Sequence, residues 1–251
     1  MSNLFWLSEA QMERLKPFFP KSHGKPRVDD RRVLSGIIFV NRNGLRWCDA
    51  PREYGPAKTL YNRWKRWSDN GVFARIMMGL AAESAEHKTI MIDATYLKAH
   101  RTALSLRLKR GRGRLIGRTK GGMNTKLHAV TDGKGRPIRF FMSAGPVSDY
   151  TGAAALLGSL PKAEWLLADR GYDADWLREA IEDKGINVCI PGRSSRKRTV
   201  KYDKRRYKRR NRIEIMFGRL KDWRRVATRY DRCPETYLSA IALAATVLFW
   251  L

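Results

Sequence analysis

The stretch Thr89-Ile90-Met91-Ile92-Asp93-Ala94-Thr95-Tyr96-Leu97 does most to restrict the folds open to this chain. It is a short apolar run rich in β-branched residues, the pattern of a strand buried inside a sheet. Asp93 stands in the middle of it. An ionised carboxylate there is costly unless a partner meets it, so Asp93 is either a functional acid or a sign that the segment is not a strand.

Ahead of this run the pattern is helical. Ser8-Glu9-Ala10-Gln11 has the form of a capping box with Leu7 and Met12 as its hydrophobic staple, and the helix should run to about Lys16, where Pro17 and Pro20 stop it. Asp29 or Asp30 caps a second helix through Val33, Ile37 and Ile38, which Asn43-Gly44 ends. Pro51 and Pro56 bracket a turn, and Thr59 starts a helix with Leu60, Trp64 and Trp67 on one face and Arg63, Lys65 and Arg66 between them. A basic helix with an aromatic inner face suits a helix-turn-helix reader of DNA and equally an ordinary amphipathic helix. A last helix, 72–85, closes a small all-α unit.

After His87 the chain alternates strands and helices. Residues 89–97, 125–130, 137–142, 163–168 and 186–190 read as five strands, the second and third forming a hairpin around Thr131-Asp132-Gly133-Lys134-Gly135. Asp132 is thereby turn chemistry. Ser148 or Asp149 caps a helix running to Leu160, and Asp173 or Asp175 caps another to about Asp183. Residues 98–120 and 193–206 read as basic loops, and 234–251 as a helix apolar nearly all round and therefore buried.

Residues 207–221, YKRRNRIEIMFGRLK, read as one strongly periodic helix. At about 100° per residue, Tyr207, Arg210, Glu214 and Lys221 share a stripe roughly 60° wide, while Ile213, Met216, Leu220 and Trp223 form a separate packing face. Alone, a glutamate among cations is a solvated residue or part of a phosphate-handling site.

Charge favours the second. The 251 residues hold 51 Lys and Arg against 24 Asp and Glu, a formal charge of +27, as a polyanion binder requires. The three cysteines form no C-x-x-C pair and the four histidines are scattered, which excludes a disulfide framework or a zinc finger. No signal peptide is evident and the longest apolar run, 240–251, is too short to span a bilayer, so a soluble cytoplasmic protein is expected. Asp93, Asp169 at the end of the fourth strand, and Glu214 are left unexplained. Two strand acids and a helix acid are the ligand set for a pair of hard divalent cations that drive phosphoryl transfer.

These residues carry a resemblance. The spacing Tyr207-x2-Arg210-x3-Glu214-x6-Lys221 resembles the Y-R-E-K signature of bacterial insertion-sequence transposases of the DDE type. MIDATYLKAH is similar to their first-aspartate segment, LLADRGYDAD to their second, and GGMNTKLHAVTD to the insertion-sequence-five branch. The resemblance implies an α/β fold with an RNase-H-like catalytic domain over 88–251, and a helical DNA-binding domain over 1–87. It implies that Asp93, Asp169 and Glu214 are catalytic and bind two Mg²⁺ ions, for which Mn²⁺ can substitute. Tyr207, Arg210, Lys221 and Arg170 would hold DNA near the cut, with Arg63, Lys65 and Arg66 on the N-terminal domain. The implied partners are the element's terminal inverted repeats and target duplex, bound by a homodimer or larger assembly in the nucleoid, without a membrane. A tyrosine recombinase acting through Tyr207, a non-catalytic DNA binder such as a repressor or domesticated derivative, and a simple metal-dependent nuclease are the competing classes.

Overall fold

In the computed structural model, which describes residues 4–20, 29–83, 87–104, 113–196 and 198–251, the apolar run around Asp93 is the centre of a seven-stranded mixed sheet. Its strands are β1 (His87–Ala99), β2 (Gly117–Thr119), β3 (Gly122–Asp132), β4 (Pro137–Ala144), β5 (Ala163–Leu167), β6 (Asn187–Cys189) and β7 (Thr228–Arg229). The order is β2-β3-β1-β5-β6, with β4 also beside β3 and β7 beside β1. β3 runs antiparallel to β1 from Ile90 to Lys98. On the other side, parallel β5 pairs with β1 only as far as Met91, and parallel β7 joins it only at Lys98 and Ala99. The intervening stretch of β1, Asp93 included, has no strand neighbour on that side among the described residues. A gap in the sheet therefore opens beside the Asp93 carboxylate.

Five strands were expected and seven are present. β2 and β7 are three and two residues long, too short for alternation to register. β3 is buried at every position from Asn124 to Asp132, so both of its faces are covered, because successive side chains point to opposite sides. The hairpin turn is as expected: Asp132 accepts the amides of Lys134 and Arg136 and pairs with the Arg136 side chain.

The helices are α1 (Glu9–Leu15), α2 (Asp30–Asn43), α3 (Ala57–Asp69), α4 (Val72–Ala82), α5 (Arg101–Leu104), α6 (Asp149–Leu157), α7 (Asp175–Glu182), α8 (Lys204–Tyr207), α9 (Asn211–Lys221), α10 (Arg224–Ala227) and α11 (Pro234–Phe249). The Ser8–Gln11 capping box is complete, Asp29 caps α2, and Gly44 closes α2 at φ +70°. α3 starts two residues before Thr59, with Pro56 in the cap position. Two 3-10 turns, Trp47–Asp49 and Arg52–Tyr54, lie between α2 and α3, a longer link than the three or four residues of a tight helix-turn-helix. α4 ends at Ala82 with Glu83 as its cap; the rest of its expected span, 84–85, lies outside the described residues.

Several expected boundaries move for identifiable reasons. The first basic loop contains α5 and β2, while 105–112 fall outside the described residues. α6 is capped by Ser148 and stops at Leu157, three residues short of Leu160. Neither Asp173 nor Asp175 caps α7; Ala174 holds that position, and Asp173 is buried among Arg178, Arg196 and the Arg193 amide. Residues 207–221 are not one helix: α8 ends at Tyr207, Lys208–Arg210 form a 3-10 turn, and α9 follows. The second basic loop already includes α8.

α11 is buried along most of its length and packs on α2, α3 and α4 as well as on α9, α10 and β4. Trp250 Nε1 donates to the Pro137 carbonyl at 3.0 Å, and Arg14 donates to the Trp250 carbonyl at 2.7 Å. N-terminal helices and sheet thus share one core. No helix among the described residues is long and apolar enough to cross a membrane.

Candidate active site

Asp93 sits opposite the gap in β1, its side chain 14% exposed. It accepts the Ala94 amide at 2.8 Å and Arg210 Nη1 at 2.8 Å. The other terminal nitrogen of Arg210 donates to Glu214 Oε1. One guanidinium therefore bridges the strand acid and the helix acid.

The rotation of α9 explains how. Ile213, Met216, Phe217 and Leu220 are buried, which locks the apolar face onto the core and turns the opposite stripe toward β1. Lys221 at the far end of α9 donates to Thr95 Oγ1 at 2.8 Å. Thr95 lies two residues beyond Asp93 and so projects from the same side of the strand. Tyr207 stays with the group despite the 3-10 turn, its ring 5.8 Å from the Arg210 guanidinium.

Asp169 arrives from the other side of the gap. It follows β5, caps the 3-10 turn Arg170–Tyr172 and accepts the Gly171 amide at 2.8 Å. A Cβ on Gly171 would lie 2.9 Å from Asp169 Oδ1 and 3.4 Å from Asp149 Oδ2, so two carboxylates crowd this glycine. Burial pushes the Asp93 carboxyl up to about 6; the Ala94 amide and Arg210 oppose the rise, and the charge of Asp169 adds to it.

Sequence reasoning named Asp93, Asp169 and Glu214, and Asp93 and Glu214 share Arg210. Glu214 is 54% exposed, and among the described residues no three acids already converge as a metal-ligand cluster. It missed Asp149, Lys126 and Tyr172. Lys126, buried on β3, donates to Asp149 Oδ1 at 3.0 Å. Asp149 looked like a helix cap, although Ser148 alone suffices for that; Tyr172 was legible only as part of Asp169-Arg170-Gly171-Tyr172.

The remaining basic candidates differ. Arg63 pairs with Asp30 and lies 5.0 Å over the Trp67 ring, with its side chain 18% exposed. Lys65 pairs with Asp69. Arg66 and Arg170 are exposed.

Residues 84–249, the larger part of the chain, match the family described as "Transposase DDE domain". The chain belongs to the DDE transposase family. Residues 7–77 of the transposase match the family "Putative transposase of IS4/5 family". The transposase is 35% identical over 130 residues to the putative transposase for insertion sequence element IS6501 of Brucella ovis, covering 51% of this chain and 99% of that protein. It is 28% identical over 203 residues to the putative transposase for IS402 of Burkholderia cepacia, covering 70% and 93% respectively. Among solved structures, it resembles the piggyBac transposase in its synaptic complex with hairpin DNA, with a TM-score of 0.52, 9% identity, and coverage of 97% of this chain and 72% of that one. That likeness concerns the fold, RNase-H-like in the transposase as in its neighbour. Catalytic DNA cleavage and strand transfer are what membership of the family implies.

Proposed function

We propose that this transposase cleaves the ends of an insertion sequence and joins the freed 3′-hydroxyls to target DNA, with Asp93, Asp169 and Glu214 holding two divalent cations. The observation that carries the reading is the Arg210 bridge. A single cationic group already draws Asp93 of the central strand and Glu214 of α9 together over the gap.

The donor set suits Mg²⁺, with Mn²⁺ as a substitute, because all three acids offer hard oxygen ligands. The position of Arg210 supports the fit, since the fold there accommodates positive charge between two carboxylates. When bound, the cations supply Lewis-acid charge to the scissile phosphate and the attacking oxygen.

The protein's own groups do the rest. Asp93, on the central strand, would fix the position of a bound cation relative to the sheet. Arg210, in the 3-10 turn that leads into α9, and Lys221, at the far end of α9, hold backbone phosphates on either side of the reacting one, as bidentate and point charges respectively. Tyr207 presents a ring for stacking at the cut end. Arg170, exposed beside Asp169, extends the cationic surface. Residues 1–87 form the domain that grips the duplex away from the cut. There Arg66 is directed outward, whereas Arg63 and Lys65 are engaged by acids. A homodimer or larger assembly brings two element ends together.

The experiment is incubation of the full chain with labelled element-end duplex in Mg²⁺ or Ca²⁺, scoring nicks and joined products. Wild type nicks and joins in Mg²⁺. Asp93→Ala binds the ends without cutting, and Asp169→Asn and Glu214→Gln behave likewise. Unchanged cleavage by Asp93→Ala removes that residue from the mechanism, and nicks that never become joined products make the protein a nuclease instead.

A further inference from the structure

We propose that Asp149 is a fourth carboxylate of this site, directed at the divalent cation that Asp93 and Asp169 would hold, with Lys126 as its counter-ion when no cation is bound. The inference rests on the metal-site reading above.

Three observations converge on it. Asp149 is the first residue of α6, but the cap is made by Ser148, whose hydroxyl accepts the Thr151 amide. The Asp149 carboxylate is therefore free for other work. Its side chain, 36% exposed, reaches two neighbours: Oδ1 takes the Lys126 ammonium, and Oδ2 lies 3.4 Å from the position a Gly171 Cβ would occupy, against 2.9 Å for Asp169 Oδ1. Two acids from different elements thus meet over a glycine that has no side chain to separate them.

Tyr172 supplies the independent observation. It is 1% exposed, and its hydroxyl finds no hydrogen-bond partner among the described residues. A buried, unpaired hydroxyl costs on the order of 1–3 kcal/mol and points to a polar guest that completes its bonding. Burial raises this hydroxyl's pKa, and the charges of Asp93, Asp149 and Asp169 add to the rise while Arg210 opposes it.

Lys126 accounts for the metal-free arrangement. Its side chain is 5% exposed, and it donates to the Val147 carbonyl at 2.6 Å as well as to Asp149. Arg210 performs the same service for Asp93 and Glu214. Both cationic groups neutralise acids that a divalent cation would otherwise neutralise, so removing either should favour metal binding rather than oppose it.

The test is Mn²⁺ titration of the full chain without DNA, followed by calorimetry and by the electron-paramagnetic signal of free Mn²⁺. Asp149→Asn should bind Mn²⁺ about 10-fold or more weakly, the size of effect expected when a group supporting a metal site is lost. Asp149→Glu should recover most of that affinity, and Lys126→Gln should bind Mn²⁺ more tightly than wild type. Melting without metal shows whether each variant folds; if Asp149→Asn does not, the Glu and Gln variants carry the comparison. If Asp149→Asn binds Mn²⁺ like wild type while Asp93→Asn loses it, Asp149 is only the ion-pair partner of Lys126 and the proposal fails alone. If Asp93→Asn also binds like wild type, the metal-site reading fails and takes this one with it.

Discussion

Arg210 and Asp93 meet at 2.8 Å across 117 residues of sequence, and this contact ties α9 to the central strand. It joins a half-buried acid to the only guanidinium that also reaches Glu214 among the described residues. Asp93 without that partner would be a nearly buried carboxylate beside Asp169. Arg210→Gln should therefore lower the stability of the metal-free protein by about 1–3 kcal/mol. Mg²⁺ should raise the melting temperature of this variant by more than it raises that of wild type, because the cation takes over the neutralising role. Equal Mg²⁺-induced shifts in the two proteins would show that Arg210 and the metal do not share a place.

The pH dependence of stability should expose Asp93 and His128 as opposed groups. Burial holds the His128 ring down to about 4, against an unfolded value near 6.5; Asp149 opposes the fall and Lys126 adds to it. Its Nε2 lies 2.8 Å from Ser143 Oγ. Between pH 6.5 and 4 the unfolded chain binds the extra proton, so His128 makes the protein less stable on acidification. Asp93, raised to about 6, does the reverse: between pH 6 and about 4 the folded state binds the extra proton, and stability rises as pH falls. Each effect is worth about 3 kcal/mol, and in wild type they nearly cancel. Asp93→Asn removes one of them. Urea unfolding at pH 6.5, 5.5 and 4.5 should show the variant losing roughly 2–3 kcal/mol relative to wild type across that window. Parallel profiles would mean that Asp93 titrates as an ordinary carboxylate.

Asp173 is the acid for which sequence and structure part most clearly. Its place before a helical pattern reads as a cap, yet Ala174 takes that position and the Asp173 side chain is fully buried among two arginines and an amide. Burial alone would raise its carboxyl; hydrogen bonds from Arg196, the Arg193 amide and Arg178 override this and bring it down to about 2. Its stabilising contribution is complete above about pH 4 and is lost as pH falls through about 2. Asp173→Asn should cost about 3–5 kcal/mol by leaving Arg178 without an acid and Arg196 with Asp175 alone, measured by urea unfolding at neutral pH. A loss below 1 kcal/mol would show that the arginines find water instead.

The case of Asp173 shows what the sequence could and could not convey. Signals that act over a few residues were legible: the Ser8 box, the Gly44 stop, the Asp132 turn and the apolar face of α9. The strand around Asp93 was legible too, because a buried run needs no partner to be seen. Boundaries set by tertiary contact were not. α6 ends early, and β7 exists only because it lies beside the end of β1. The site followed the same division. Asp93, Asp169 and Glu214 stood out as acids without local employment, whereas Asp149 had an apparent one in capping and was hidden by it. Lys126 and Tyr172 look like ordinary sheet and turn residues until the chain is folded.

Gly171 tests whether the crowding beside Asp169 matters to catalysis. Its φ lies outside the left-handed region, so the backbone itself admits alanine. The added Cβ would sit 2.9 Å from Asp169 Oδ1, closer than real Cβ contacts allow, and either that carboxylate or the Asp149 carboxylate must move. A displacement of this size at a reacting group costs up to about 100-fold in rate, while the fold loses little because the site faces the open gap in the sheet. Gly171→Ala should thus keep its melting temperature within a few degrees and bind element ends normally, yet cleave about 10- to 100-fold more slowly. Wild-type cleavage by Gly171→Ala would show that Asp169 can be pushed aside without consequence, and it would remove that carboxylate from the reacting centre.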